Sequence, residues 1–281
     1  MSPSPPPALS EDQALYLFCL TRRSAASFEH DGLSGQAVRR LPVAEGLSAV
    51  VDAVDRAAWT GPQAEENMRS LGWVGPRATR HENVVERAME EGPVYPARFG
   101  TLYSSLERLR TTVTAHVETL TAFLTRVETA DEWAVKGLLA RDRATAHLVE
   151  QTSAPEAEDE ETGTAYLKRR KKEKEARRSV DEWLGEVTQT IKDTLMETAS
   201  EIRTLDPQRT VKDDTDRSMA FNWAFLVDQD RCDALRQAVR RANGRHKPAG
   251  LKLRLTGPWP PYNFRPNLAD EPSGGPEGDG L

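Results

Sequence analysis

The sequence predicts an α+β protein of two domains, and three observations lead to that class. Short apolar runs, typical of strands, alternate with amphipathic helical segments in two successive series. The second series follows the order β-α-β-β-α-β, which is the ferredoxin-like order, and the first follows the order β-x-β-α-α-β of a related α+β sandwich. A chain of 281 residues with 38% apolar residues is long enough to form two cores.

The N-terminal α+β domain is predicted over residues 13–103. It follows a proline-rich leader at residues 1–12, which we expect to be disordered. Its three strands are predicted at residues 14–20, 47–54 and 93–99, with an irregular connection between the first two. Two helices are expected between residues 61 and 91, and Pro76 is favourable at the start of the second helix.

A helical element that links the two domains is predicted over residues 104–130. Apolar residues recur there at steps of three and four, as on the buried face of a helix. They are Leu106, Leu109, Val113, Val117, Leu120, Leu124 and Val127. Ser104 or Ser105 is suited to cap the first turn.

The C-terminal ferredoxin-like domain is predicted over residues 131–264. Its strands are expected at residues 132–139, within 200–210, at 219–227 and at 251–255. Helices are expected after residue 140, over residues 164–199 and from residue 231 to residue 243, where Gly244 and Pro248 end the last one. The remaining residues, 265–281, are rich in proline, glycine and aspartate and predict a disordered tail.

A stiff aromatic arm, TGPWPPYNF, follows the last predicted strand at residues 256–264. Gly257 permits a turn of either hand, and Pro258, Pro260 and Pro261 remove three backbone donors, so we expect the strand to stop before them. The arm would then display three rings at set angles, those of Trp259, Tyr262 and Phe264. Such an arm serves packing or recognition rather than catalytic chemistry.

These residues also resemble a known family. The run LTGPWPPYNF looks like the C-terminal signature of the gas vesicle protein F/L family, and four other segments agree with the family in order. They are His81-Glu-Asn-Val84, Pro96-Ala-Arg-Phe-Gly-Thr101 (with Phe99 and Gly100), Glu132-Trp-Ala-Val-Lys136 (with Trp133) and Asn222-Trp-Ala-Phe-Leu-Val227. The resemblance extends from about residue 15 to residue 264 and does not separate the F type from the L type.

The resemblance implies a gas vesicle accessory protein with the same two-domain plan. Such a protein binds the small hydrophobic gas vesicle shell protein in the cytoplasm, keeps it soluble and helps to nucleate or build the vesicle. It is associated with the gas vesicle and can stay there as a minor component, and other accessory proteins are expected partners. The resemblance implies neither an enzyme nor a cofactor. A scaffold that joins accessory proteins through the charged residues 156–178 is an alternative.

The aromatic arm has two interpretations. In the structural one, Trp259, Tyr262 and Phe264 fold back over a sheet edge or a domain seam. In the functional one, at least one ring stays accessible and docks an apolar partner. Arg98 is treated in the same way, as a salt-bridge partner of a carboxylate such as Glu82 or as a polar anchor for an incoming chain.

Three other motif residues are interpreted as structural. Trp133 and Lys136 lie three apart on a predicted strand and therefore point to opposite faces, with Trp133 in the core and Lys136 facing solvent or a neighbouring acid. Asn222 interrupts an apolar strand. A buried amide needs hydrogen bonds, so we expect Asn222 to fix the strand register or to hold a loop.

Charge and motif content disfavour several other functions. The formal net charge of −6 argues against nucleic-acid binding, and the basic run at residues 168–178 contains Glu173 and Glu175, as in a solvated helix. Five scattered histidines and two cysteines show no metal spacing, so catalytic, cofactor and metal residues are predicted to be absent. An enzyme of ferredoxin-like fold is kept as a further alternative. No segment predicts a signal peptide or a membrane span, which favours a soluble cytoplasmic protein.

Overall fold

The computed structural model describes residues 9–24, 28, 30–152, 163–206, 217–269 and 271–272. The chain divides into two compact units, the first formed by Met1–Ala130 with Trp259–Leu281 and the second by Asp131–Pro258. Each unit has one sheet with helices, and the strand pairs of both sheets are antiparallel. The α+β class predicted from the sequence is therefore confirmed.

The first unit is built on a five-stranded sheet. Its strands are Gln13–Arg22 (β1), Arg39–Ala44 (β2), Leu47–Asp55 (β3), Val94–Pro96 (β4) and Leu102–Tyr103 (β5). The strand order is β2-β3-β1-β4, and β5 also pairs with β1. Residues 14–21 of β1 are all buried, because β1 has neighbours on both sides and apolar side chains on both faces.

Strand β2 occupies a part of the chain for which the sequence predicted an irregular connection. Its sequence lacks an apolar run typical of a strand, because it contains Arg39, Arg40 and Pro42. It nevertheless pairs with β3 from Arg39 to Ala44. Gly46 takes a φ of 70° in the turn that joins the two strands, a conformation that favours glycine. β2 lies at the edge of the sheet, where proline and charged side chains are tolerated.

Four helices complete the first unit. They are Gly61–Arg69 (α1), Leu71–Met89 (α2), Leu106–Ala115 (α3) and Val117–Arg126 (α4). α2 begins before Pro76, which lies inside it, so the expected helix start at Pro76 is wrong. The predicted linking helix at 104–130 is two helices, because His116 leaves helical geometry with a φ of −122° and a ψ of 16°. Both helices are grouped with the first unit.

The second unit has a four-stranded sheet in the order β7-β8-β6-β9. Its strands are Ala130–Leu139 (β6), Glu201–Thr204 (β7), Ser218–Asp228 (β8) and Leu251–Trp259 (β9). Its helices are Arg141–Thr152 (α5), Gly163–Met196 (α6) and Cys232–His246 (α7). α7 continues through Gly244, two residues beyond the predicted stop, so that Arg245 and His246 lie on the helix.

Aromatic packing fills the core of the second unit. The rings of Phe221 and Trp223 are stacked with centroids 3.9 Å apart, and both side chains are buried. Gly137 on β6 makes room for them, because a Cβ at this position would lie 2.3 Å from the Phe221 ring. A strand glycine here reflects close packing rather than flexibility.

Strand β9 continues farther than the sequence predicts. It passes through Gly257 and Pro258 and ends at Trp259. β9 is an edge strand, and an edge strand tolerates proline because one side of it needs no backbone donor. Gly257 has a φ of 132°, and a Cβ there would lie 2.9 Å from the backbone oxygen of Glu132 on β6. Glycine is therefore required at this point of close approach.

The residues that follow β9 return to the first unit. The sequence prediction placed residues 256–264 in the C-terminal domain and a disordered tail at 265–281, whereas the structure groups Trp259–Leu281 with the first unit. Residues 265–269 and 271–272 are folded, while the leader residues 1–8 and the last residues, 273–281, lie outside the described part of the chain. Within the described ranges, no helix combines the length and the apolar character needed to cross a bilayer.

Candidate functional site: the C-terminal segment and its anchors

The C-terminal segment, defined here as residues 259–272, carries the most distinctive motif of the sequence. Trp259 at its start has 39% of its surface exposed, whereas Phe264 and Leu268 are 4% and 9% exposed. Tyr262 is partly buried and packs against the core of the first unit. The three rings of the predicted arm therefore have different environments, with one at the surface and two held by the fold.

Tyr262 is joined to the core by a chain of buried hydrogen bonds. His81 on α2 is 1% exposed, and its Nε2 lies 3.1 Å from the Tyr262 hydroxyl oxygen. The other ring nitrogen, Nδ1, lies 2.9 Å from the Tyr16 hydroxyl oxygen, which accepts a hydrogen bond from the Gly100 backbone N–H at 3.1 Å. A neutral imidazole, which donates from one nitrogen and accepts at the other, satisfies both tyrosines.

Burial sets the electrostatics of this chain. Desolvation lowers the pKa of His81 from 6.5 to about 4, although a hydrogen bond to the Ala97 backbone acts in the opposite direction, so the imidazole is neutral at pH 7. Burial also raises the pKa of Glu82, and a hydrogen bond from Tyr262 opposes that rise. The tyrosines stay protonated because burial raises the pKa of both Tyr16 and Tyr262.

A buried ion pair holds the next part of the segment. Arg265 and Glu271 have side chains only 3% and 6% exposed, and Arg265 Nη1 lies 2.8 Å from Glu271 Oε1. Arg265 Nη1 also donates to the Tyr95 hydroxyl oxygen and to the Pro96 carbonyl oxygen of β4, at 3.0 and 3.1 Å. This pairing is the physical reason why the predicted disordered tail is folded at its start.

Arg98 lies at the exposed surface beside the same segment. Its Nη2 donates to Asn267 Oδ1 at 3.0 Å rather than to the carboxylate of Glu82 that the sequence suggested. The turn that carries Arg98 is fixed by Gly100, which has a φ of 85°, and by Thr101, whose buried hydroxyl donates to the Arg98 carbonyl oxygen at 2.8 Å. The turn therefore holds Arg98 in a defined position next to the C-terminal segment.

The other motif residues lie in the sheet of the second unit. Trp133 is 4% exposed, and the Arg236 guanidinium lies over its ring at 4.7 Å. Lys136 is half-buried on the same strand. Asn222 is 6% exposed, and its backbone carbonyl oxygen accepts from the Leu205 N–H at 2.9 Å. Its side-chain Oδ1 has no hydrogen-bond partner among the described residues, so the hydrogen bonding expected of the buried amide is not found at this atom. These three residues lie on strands β6 and β8 of one sheet.

Sequence reasoning missed the residues that hold the C-terminal segment. His81 was noticed only as part of a short motif, and Tyr16, Arg265 and Glu271 were not singled out. The signal for His81 was its place on the apolar face of α2, which also carries the buried Val84, Val85 and Ala88. For the ion pair, the only signal was two opposite charges six residues apart in a proline-rich stretch.

Similarity to known proteins identifies the family. Residues 14–266 match the family model described as gas vesicle synthesis protein GvpL/GvpF. The chain belongs to this family. It is 26% identical over 268 residues to gas vesicle protein L of Streptomyces sp. (strain CB03234), an alignment that covers 94% of this chain and 96% of that protein. It is also 44% identical over 50 residues to gas vesicle protein F2 of Halobacterium salinarum, which is 18% of this chain and 22% of that protein.

Solved structures of GvpF have the same fold. The crystal structure of GvpF from Anabaena sp. PCC7120 matches with a TM-score of 0.67 and 19% identity, over 92% of this chain and 98% of that one. The crystal structure of GvpF from Microcystis aeruginosa matches with a TM-score of 0.64 and 17% identity, over 90% and 99%. As a GvpL/GvpF family member, this protein takes part in gas vesicle formation.

Proposed function

We propose that this protein is an assembly factor that binds the small hydrophobic gas vesicle shell protein, keeps it soluble and helps to build the vesicle. An apolar subunit that is not yet incorporated aggregates unless its exposed face or strand edge is covered. A folded accessory protein with an accessible apolar group can provide that cover. The shell protein, other accessory proteins and a cytoplasmic, vesicle-associated location all belong to this proposal.

The exposure of Trp259 is the observation that carries the proposal. A large aromatic ring costs free energy when it faces water, and tryptophan is among the residues that dominate binding interfaces. Trp259 is 39% exposed although the segment that follows it is held down by Tyr262 and Phe264. Tyr262 and Phe264 fix the position of the Trp259 ring, which lowers the conformational entropy lost on binding.

The proposed contact site combines Trp259 with Arg98. Tyr262 and Phe264 belong to it as residues that hold the C-terminal segment in position. Arg98 is exposed and is oriented by Asn267 of the C-terminal segment. Leu71, which is 81% exposed, is a second apolar side chain that the first unit offers to an apolar partner. Neither the proposed contact nor the proposed role uses a catalytic, cofactor or metal residue.

The fold of the second unit is part of the same proposal. We infer a ferredoxin-like domain from the element order β6-α5-α6-β7-β8-α7-β9 and from the strand order β7-β8-β6-β9. In this topology β7 and β9 are the edge strands. Strand β9 ends at Trp259, whose ring is exposed.

Co-expression with the shell protein tests the proposal. Wild type is expected to keep the shell protein in the soluble fraction and to retain it in a pull-down. Trp259→Ala is expected to lower the retained amount by about tenfold or more, the size of effect that an interface hot spot produces. Met196→Ala is the matched control, because Met196 is 41% exposed but lies in the second unit.

Two outcomes would contradict the proposal. If wild type neither solubilises nor retains the shell protein, direct binding is wrong, and a scaffold among accessory proteins becomes the leading alternative. If Trp259→Ala and Met196→Ala behave alike, Trp259 is not the contact. Point substitutions are preferable to removal of the whole segment, because a truncation would also remove the buried Phe264 and Leu268 and destabilise the first unit.

A further inference from the structure

The second unit has a groove between α6 and α7 that none of the motifs described above uses. Its cavity volume is about 180 Å³. Ile191 and Leu195 of α6, which are 3% and 1% exposed, line it together with the half-buried Ala242 of α7. A cavity of about 150 Å³ accepts a benzene-sized group, so this groove has room for one apolar side chain rather than for a drug-sized ligand.

Two cationic side chains line the α7 side of the groove. Arg241 and Arg245 are exposed, and they line it together with His246. Residues 234–250 contain five arginines and lysines and no acidic residue, although the whole chain has a net charge of −6. Among the described residues, no carboxylate pairs with Arg241 or Arg245 within 4.0 Å. Thr190 and Thr194 of α6 also line the groove, so it joins an apolar floor to a rim that is cationic on the α7 side.

Helix stability alone explains only part of this pattern. Cations near the C-terminal end of a helix interact favourably with its dipole, and Arg245 and His246 lie in the last turn of α7. The dipole does not require that these side chains line an apolar groove together with Arg241, which lies a full turn earlier. The burial of His246 lowers its pKa, and the neighbouring Arg245 acts in the same direction, so the positive charge of the rim comes from Arg241 and Arg245.

We propose that this groove docks an acidic amphipathic helix of another protein. The walls are two helices, and their lining residues recur at steps of three and four, so a third helix can place its ridge in the groove between them. One apolar side chain of the partner enters the cavity, and flanking glutamates or aspartates face Arg241 and Arg245. This interaction is independent of the binding of the shell protein by Trp259.

The test uses the full-length protein and a defined probe. The probe is a fluorescein-labelled synthetic helix of about 18 residues, with leucines at i, i+3, i+4 and i+7 on one face and glutamates on the others. Fluorescence anisotropy is expected to show saturable binding that weakens as salt is added. A peptide of equal charge with alanines in place of the leucines is expected to bind at least about tenfold more weakly, because it cannot fill the groove.

Protein variants assign the binding to the groove. Arg241→Glu/Arg245→Glu and, separately, Ala242→Trp, which fills the groove without a change of charge, are each expected to weaken binding by about tenfold or more. Arg69→Glu/Arg178→Glu makes the same change of net charge at side chains that are 83% and 84% exposed, and it is expected to bind as wild type does. Circular dichroism confirms that each variant is folded.

Three results with the peptides would overturn the proposal. They are the absence of binding at about 1 mM peptide, equal weakening in Arg69→Glu/Arg178→Glu, and equal binding of the alanine peptide, which would show attraction by charge alone. Tighter binding of a single-stranded oligonucleotide of about 20 nucleotides, lost in Arg241→Glu/Arg245→Glu, would overturn it in favour of nucleic acid. Solubilisation of the shell protein is expected to persist in Arg241→Glu/Arg245→Glu, so failure of one proposal is separable from failure of the other.

Discussion

One set of charged or polar side chains in the first unit and one in the second differ in their exposure to solvent. In the first unit, His81, Arg265 and Glu271 are buried, and each has a hydrogen-bond or charge partner that belongs to the same unit. In the second unit, Arg241 and Arg245 are exposed beside an apolar groove. We infer that the buried groups determine where the chain lies, and we propose that the exposed cations bind another molecule.

Removal of one charge from the buried pair should have the largest effect on stability. Glu271→Ala leaves Arg265 buried without its counter-charge, and we expect a loss of about 3–5 kcal/mol in the free energy of unfolding. Urea denaturation followed by tryptophan fluorescence measures it. Arg245→Ala is the matched change in the second unit, and it should alter stability by less than about 0.5 kcal/mol.

Replacement of both partners sharpens this prediction. In Arg265→Met/Glu271→Leu no charge is left buried, so most of the lost stability should return. A Glu271→Ala variant as stable as wild type would mean that water reaches the pair and that the ion pair does not hold the C-terminal segment.

The stability of the first unit should depend on pH through His81. Its pKa falls from 6.5 in the unfolded chain to about 4 in the folded protein, so the unfolded state binds the proton more readily. The stabilisation is fully present above pH 6.5 and is lost as the pH falls toward 4, by roughly 3 kcal/mol in all. Glu82, whose pKa is raised by burial, works in the opposite sense.

A variant without the imidazole isolates that contribution. Urea denaturation of wild type and His81→Asn at a series of pH values between 7 and 4 gives the difference in stability. This difference should shrink as the pH falls. A difference that stays constant across the range would show that His81 titrates in the folded protein as it does in the unfolded chain.

A methyl group added to Gly137 should disturb the aromatic core of the second unit. The new Cβ would overlap the Phe221 ring, which is stacked on Trp223, so Gly137→Ala should cost about 1–3 kcal/mol. Gly244→Ala is the control, because nothing lies within 4 Å of a Cβ there, and this helical position should gain up to about 1 kcal/mol. Thermal unfolding gives the melting temperatures of both variants. Equal melting temperatures would show that the rings of Phe221 and Trp223 move aside without a loss of stability.

Trp259→Ala should have a small effect on stability. We expect a change within about 1 kcal/mol, because the ring is 39% exposed, whereas Phe264→Ala should cost about 3–5 kcal/mol. The same denaturation assay ranks the two variants. A large loss in Trp259→Ala would show that the ring supports the fold rather than a partner.

The sequence predicted the central strands well, for a physical reason. β1 and β3 are buried over nearly their whole length, and β8 has seven buried residues in a row, so their apolar runs are unbroken and easy to recognise. β2 was missed because an edge strand carries arginines and a proline. The end of β9 was also placed too early, because tolerance of Pro258 depends on the position of the strand in the sheet.

The candidate site was predictable only in part. The aromatic motif marked the right segment, but composition could not separate the exposed Trp259 from the buried Phe264. Local sequence patterns could not predict the residues that hold the C-terminal segment, because the hydrogen bond between His81 and Tyr262 joins residues 181 positions apart. Such a contact depends on how the whole chain folds, and the same holds for the pair of Arg98 with Asn267, 169 positions apart.

Photo-crosslinking tests the central claim most directly. A photoreactive phenylalanine analogue is placed at Trp259 or, as a control, at Met196, and each variant is co-expressed with the small shell protein and irradiated. We expect a covalent adduct with the mass of one shell protein added for position 259 and none for position 196. An adduct at position 196 alone, or none at position 259 in a folded protein, would contradict the claim that the exposed ring of the C-terminal segment contacts the shell protein.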